Sequence, residues 1–241
     1  FNDLSALEQA LSNKDVAAFI VEPIQGKGVN LPDDNYLPEA ERLCKKYGTL
    51  LVADEVQTGL GRTGKFWAID HWGVKPDMIC MAKALSGGFV PVGAVAMTQK
   101  VMDTVYNRMD RAVVHGSTFA KNNLAMAAGL ATLHVLREEN LIETSGALGN
   151  DIIASIDAMK SKYEFLKEAR GKGMMIAIEF HSPKSLKLKA AWAMLEAANK
   201  GLFCQMITIP LFKEHRILTQ VAGHGMNVVK LLPPLMINQQ D

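Results

Sequence analysis

One stretch of the 241-residue chain limits its fold more than any other: LLVADEVQTGLGRTGKFWAIDHWGVKPDMICMAKALS, from Leu50 to Ser86. It opens on an apolar run, Leu50 to Ala53, that ends at Asp54 and Glu55, and a second run, Met78 to Met81, leads to Lys83. Short continuous apolar runs bounded by polar and turn residues read as buried strands of a parallel sheet. In open α/β sheets ligands collect just outside the carboxyl ends of the strands. The stretch therefore predicts an α/β chain that delivers Asp54 and Lys83 to one sheet edge.

A lysine placed straight after a buried strand has its charge satisfied or its amine in use, because a desolvated ammonium loses much of its hydration. A lysine whose pKa is lowered in this way is the usual source of a Schiff-base nucleophile. Asp54 stands 29 residues before Lys83, room for one strand, a long loop and the next strand. A carboxylate there suits the positive nitrogen of a bound heterocycle, and pyridoxal 5'-phosphate (PLP) both condenses with lysine and carries a pyridinium nitrogen. The alternative is a buried Asp/Lys ion pair with a structural role only.

The rest of the chain extends this frame. Val16 to Val21 reads as a buried parallel strand ended by Pro23, and Asn35 to Tyr47 as a helix with Gly48 at its C-terminal cap. Strand, helix and strand in that order imply a right-handed parallel crossover. Val92 to Met97 is a further apolar run, Gln99 to Arg108 and Asn122 to Arg137 are predicted helices, and Glu143 to Tyr163 is an amphipathic one. A domain boundary is expected near Leu141 to Ser145, followed by a strand at Met174 to Phe180, a helix at Ser185 to Lys200 and short strands. That tail reads as a small α+β domain.

Composition narrows the function classes. With 49% apolar residues and a net charge of +1, nothing in the balance points to nucleic acid or an anionic membrane. No apolar stretch approaches the roughly 20 residues of a membrane span, and FNDLSALEQA lacks the layout of a signal peptide. Cys44, Cys80 and Cys204 are odd in number and widely spaced, which suits reduced thiols of a cytoplasmic protein with no metal site.

Four motifs in order and register add a resemblance. VEPIQGKG (Val21 to Gly28), ADEVQTGLGRTGKF (Ala53 to Phe66), PDMICMAKALSGG (Pro76 to Gly88) and HGSTF (His115 to Phe119) are similar to successive motifs of the class III aminotransferases, which include ornithine, acetylornithine and putrescine aminotransferases. The resemblance implies PLP-dependent transferase fold type I. Residues 1–141 would form part of a large domain on a mostly parallel sheet, and 142–241 an interdomain helix with a small C-terminal α+β domain. It implies that Lys83 carries the internal aldimine with PLP and shuttles the substrate proton, and that Asp54 bonds the protonated ring nitrogen. Val56 would pack on the ring and Gln57 bond its hydroxyl. Thr118, beside Ser117, resembles the residue that reaches the cofactor phosphate of a neighbouring subunit, which implies a homodimer with shared sites. Glu22 either fixes hydrogen bonds near the cofactor or forms a structural ion pair. The implied reaction moves an amino group from an amine or amino acid donor to an aldehyde, ketone or 2-oxo acid. A racemase or aminomutase on the same fold, and a non-catalytic dimerisation or docking module, are the alternatives.

The sequence departs from the resembled pattern at substrate-side positions. Lys27 stands where ornithine-type relatives have an acidic residue, and Lys230, in VVKLLPPL, stands where they have the arginine that pairs with it and grips the substrate α-carboxylate. Lysine offers a point charge in place of a bidentate fork. Both are therefore candidate substrate residues for an acceptor without an α-carboxylate, or for a carboxylate held less rigidly. Ala120-Lys121-Asn122-Asn123 replaces the more usual Gly-Gly-Asn-Pro after HGSTF. The resembled family also carries a Gly/Ser-rich phosphate turn before these motifs and a last helix after them, so the chain is expected to be part of a longer polypeptide. His215 and His224 lie close to Gly223 and Gly225 without a Cys or acidic cluster, a pattern that favours a substrate-side loop over a metal site.

Overall fold

Strand β2 (Leu50–Asp54) is the centre of the first sheet. Its core residues Leu51, Val52 and Ala53 are buried, as a strand flanked on both sides requires. A computed structural model describes residues 1–240. Its contacts divide the chain into two units, one of Phe1–Pro23, Pro32–Gly61 and Lys65–Leu141, the other of Ile24–Leu31, Arg62–Gly64 and Ile142 onward.

In the first unit β1 (Ala18–Val21), β2, β3 (Met78–Met81) and β4 (Ala94–Met97) lie in the order β1-β2-β3-β4. The first two pairings are parallel and β3 with β4 is antiparallel. Helix α1 (Leu4–Leu11) is capped by Asp3, whose carboxylate accepts from Ala6 N at 2.8 Å. Helix α2 (Tyr36–Tyr47) makes the crossover from β1 to β2 and buries Tyr36, Leu37, Ala40, Leu43 and Cys44 on one stripe. Gly48 ends it at φ 75°, where a side chain would be strained. These side chains meet Val21, Leu51, Ala53 and Ile69 in one core. Each large aliphatic group fully buried there contributes about 1.5–3 kcal/mol. Helices α3 (Gln99–Val105) and α4 (Asn123–Glu138) follow β4, and the Asn122 side chain caps α4 by accepting from Ala125 N.

The second unit takes α5 (Leu141–Asp157) from Ile142 on. An antiparallel sheet follows in the order β5-β6-β8-β7, from β5 (Leu166–Lys172), β6 (Met175–Phe180), β7 (Gln220–Ala222) and β8 (Val228–Leu231), with α6 (Leu186–Ala198) and α7 (Leu202–His215) between β6 and β7. Leu166, Phe180, Cys204 and Val229 form its core, with Phe203 edge-on to Phe165 and Phe180 and tilted against Trp192.

Two elements differ from the sequence expectation. The segment expected to hold only short strands contains α7, where Ile207, Thr208, Ile209 and Pro210 suggest a strand and a break. Pro210 lies inside the helix, a position that costs about 3 kcal/mol in isolation; the buried Cys204 and the aromatic packing of Phe203 hold the helix in place. Strand β5, LKEARGK, is too polar to stand out, and it forms because β6 pairs with it across a turn at Gly173 and Met174. Residues 24–31 and 62–64 group with the second unit and not with residues 1–141.

Candidate active site

The register of the parallel pairs lines up the carboxyl edge of the first sheet. Val21 pairs with Ala53 and Asp54 with Cys80, so Glu22, Asp54 and the residues after Cys80 emerge along one row of strand ends. Lys83 follows three residues after Cys80 and begins a short 3-10 turn, Lys83–Ser86. Its φ of 45° is uncommon for a residue with a side chain. Backbone strain of this kind costs about 1–3 kcal/mol and clusters at functional sites. Lys83 is exposed, in contrast to the desolvated lysine expected from the sequence, as are Ala84 beside it and Gly87 to Phe89 beyond.

Asp54 is partly buried, and its Oδ1 accepts from Val56 N at 3.1 Å, a turn that fixes the carboxylate against its own backbone. Val56 and Gln57 are partly exposed on the next two positions of that turn. Between Asp54 and Val56, Glu55 turns inward and is 1% exposed. Its Oε1 accepts from Ile69 N at 2.8 Å and its Oε2 from Thr58 Oγ1. Burial pushes the Glu55 carboxyl above its usual pKa, and the Thr58, Ile69 and Ala68 donors act against that shift. Cys80, opposite Asp54, is also raised, by burial first and the Asp54 charge second.

Ser117 and Thr118 lie in an exposed turn in which Ala120 N donates to Ser117 O at 3.0 Å, and Phe119 beside them is 82% exposed. The substrate-side candidates Lys27 and Lys230 belong to the second unit. Lys27 is exposed. Lys230 on β8 is 7% exposed and its Nζ donates to Gly26 O at 3.1 Å. The neighbouring carbonyls are engaged too: Gly223 N donates to Lys27 O at 3.1 Å, and Arg170 donates to Gly28 O at 2.8 Å and Val29 O at 2.9 Å. Four consecutive carbonyls, Gly26 to Val29, are thus held by donors of the same unit. Arg62 is held likewise, donating to Met174 O at 3.3 Å and to Pro233 O, and burial pulls its guanidinium below its usual pKa.

The inward role of Glu55 and the anchoring roles of Arg62 and Arg170 are absent from the sequence reading. The ADEVQT motif shows two adjacent carboxylates but not that the second turns into the core, and the partners of Arg62 and Arg170 lie far away in sequence. Among the described residues, no group of three or more His, Cys, Asp or Glu is placed to hold a metal ion, and no helix is long and apolar enough to cross a membrane.

A mixed, mostly parallel sheet that brings an aspartate and a strained lysine to its carboxyl edge defines a fold type I chain of the PLP-dependent transferase class. The family model for class-III aminotransferases matches residues 1–241, and the chain belongs to that family. The ornithine aminotransferase of Plasmodium chabaudi chabaudi is 45% identical over 242 residues, covering 100% of this chain and 52% of that protein. Among solved structures, the ornithine aminotransferase from Toxoplasma gondii ME49 superposes with a TM-score of 0.84 at 37% identity, over 100% of this chain and 52% of that one. A second Toxoplasma gondii ornithine aminotransferase structure, crystallized with oxidized glutathione, has PLP at partial occupancy in its active site; it matches with a TM-score of 0.82 at 37% identity, over 100% of this chain and 51% of that one. Class-III aminotransferases are PLP-dependent enzymes. The chain spans about half the length of the curated ornithine aminotransferases it matches.

Proposed function

We propose that the protein acts as a PLP-dependent aminotransferase, moving an amino group from a small amine or amino acid donor to a carbonyl acceptor. One observation carries the reading: Asp54 ends β2 and Lys83 lies just past β3, and the two strands pair in parallel, so an acid and an amine share one sheet edge. The donor set fits the cofactor. A carboxylate fixed by Val56 N suits a pyridinium nitrogen, and a lysine in a strained turn suits a covalent anchor. PLP supplies a carbonyl carbon that condenses with amines and a protonated ring that draws electrons from the substrate.

The chain's own residues do the rest. Asp54 accepts the ring N–H and keeps the nitrogen positive. The Lys83 amine would hold the cofactor and, once free, would serve as the base that carries the substrate proton. Val56 would pack on the ring, Gln57 would bond its hydroxyl, and Ser117 and Thr118 would hold the phosphate from the partner of a homodimer. Glu22, Lys27 and Lys230 carry the substrate side, and the three free thiols suit a cytoplasmic protein.

The test is the visible absorbance of the full-length protein with added PLP, followed by borohydride reduction and mass mapping. A pyridoxyl adduct on Lys83 is expected. No visible band, or an adduct spread over exposed lysines, would overturn the reading.

A further inference from the structure

Val56 and Gln57 sit inside a ring that Glu55 closes twice. Its main-chain oxygen accepts from Gly59 N at 3.0 Å and its carboxylate accepts from Thr58 Oγ1, so both bonds span the two residues. The backbone of Glu55 is itself pinned to β3, donating to Cys80 O at 3.0 Å. The other carboxylate oxygen then reaches Ile69 N at 2.8 Å, closing a loop whose ends are 14 residues apart in sequence. Thr58 and Ile69 are each 1% exposed, so these bonds are shielded from water. A buried, multiply bonded carboxylate is costly to dismantle, because each donor left behind loses its partner.

We propose that Glu55 is a positioning residue for the reaction: its carboxylate, held by the Thr58 hydroxyl and the Ile69 amide, fixes the turn that presents Asp54, Val56 and Gln57. It touches neither substrate nor cofactor and acts through those three residues. The inference rests on their cofactor-side roles proposed above. Since the role lies in the reach and bonding of the side chain, a neutral group of the same length serves as well: in glutamine the oxygen takes the Ile69 N–H group and the amide donates to Thr58 Oγ1. Aspartate is one methylene short of spanning Thr58 and Ile69.

The full-length protein and its Glu55→Ala, Glu55→Asp and Glu55→Gln variants are compared by two measurements: amide hydrogen exchange of residues 56–69 without cofactor, and titration with PLP at the visible band. Alanine and aspartate are expected to speed exchange in 56–69 and to weaken PLP binding at least about tenfold, with glutamine within about threefold of wild type. Faster exchange with unchanged PLP affinity would make Glu55 a structural residue and overturn the proposal, as would a folded glutamine variant as weak as alanine. If the alanine variant does not fold, Thr58→Val, which removes one bond closing the ring, is expected to weaken PLP several-fold; wild-type affinity there overturns the proposal equally. A wild-type protein with no borohydride adduct on Lys83 refutes the cofactor reading itself, and this inference with it, and that result is read before any variant is compared.

Discussion

Lys230 shows how one residue's surroundings bear on substrate choice. A side chain 7% exposed whose Nζ donates to Gly26 O at 3.1 Å presents no bidentate fork, in contrast to the arginine that the resembled motif has there. Under the proposed function this favours an acceptor without an α-carboxylate, the alternative being a carboxylate held less rigidly by Lys230. Half-reactions measured with simple aldehydes, pyruvate and 2-oxoglutarate should favour the aldehydes by about tenfold or more, the worth of one charge-assisted contact. Fast turnover with 2-oxoglutarate that Lys230→Ala abolishes would refute this. The thiols illustrate the opposite case, residues that local environment retires: burial pushes Cys44 up to about 11 and Cys204 up to about 12, so neither carries a thiolate at neutral pH.

At the scale of elements, close backbone approach decides what α5 tolerates. A Cβ added at Gly149 would lie 2.0 Å from Gly173 O, in the turn between β5 and β6, so the helix passes that turn with no room for a methyl group. Alanine at an ordinary helical position gains about 1 kcal/mol over glycine. At Gly149 the overlap outweighs it, and Gly149→Ala is expected to destabilise by about 3 kcal/mol, read from the urea midpoint. Gly129→Ala in α4, where the nearest atom outside the helix is Leu85 O at 3.4 Å, is the control and should be neutral or slightly stabilising. Equal effects at both sites would show that propensity, not space, governs α5. Helix α7 carries the same lesson in reverse, since packing of Phe203 and Cys204 maintains a helix through Pro210 against its propensity.

For the molecule as a whole, pH acts through paired carboxylates. Burial raises the Glu179 carboxyl, but hydrogen bonds from Lys167, at 2.5 Å, and from Arg170 outweigh it, and its pKa falls below the usual 4.5. A carboxyl lowered in the folded state stabilises fully above its unfolded value and loses that contribution as pH falls through the folded one. The wild-type thermal midpoint is therefore expected to drop between about pH 5 and pH 3 more steeply than that of Glu179→Gln; parallel curves would remove Glu179 from the account. Much of this molecule is already written in the chain. Hydrophobic runs with period and length of their own specify β1, β2, β3, α2 and α4, and Asp54 and Lys83 are legible because each directly follows such a run or its end. What depends on distant partners is not legible: β5 needs β6, residues 24–31 need Arg170, Gly223 and Lys230, and the inward turn of Glu55 needs the amide of Ile69. Local pattern reports the free energy of burying a face, which a sequence window contains. The hydrogen bonds that fix a loop or turn a carboxylate inward join residues far apart in sequence, and only the tertiary structure brings them together.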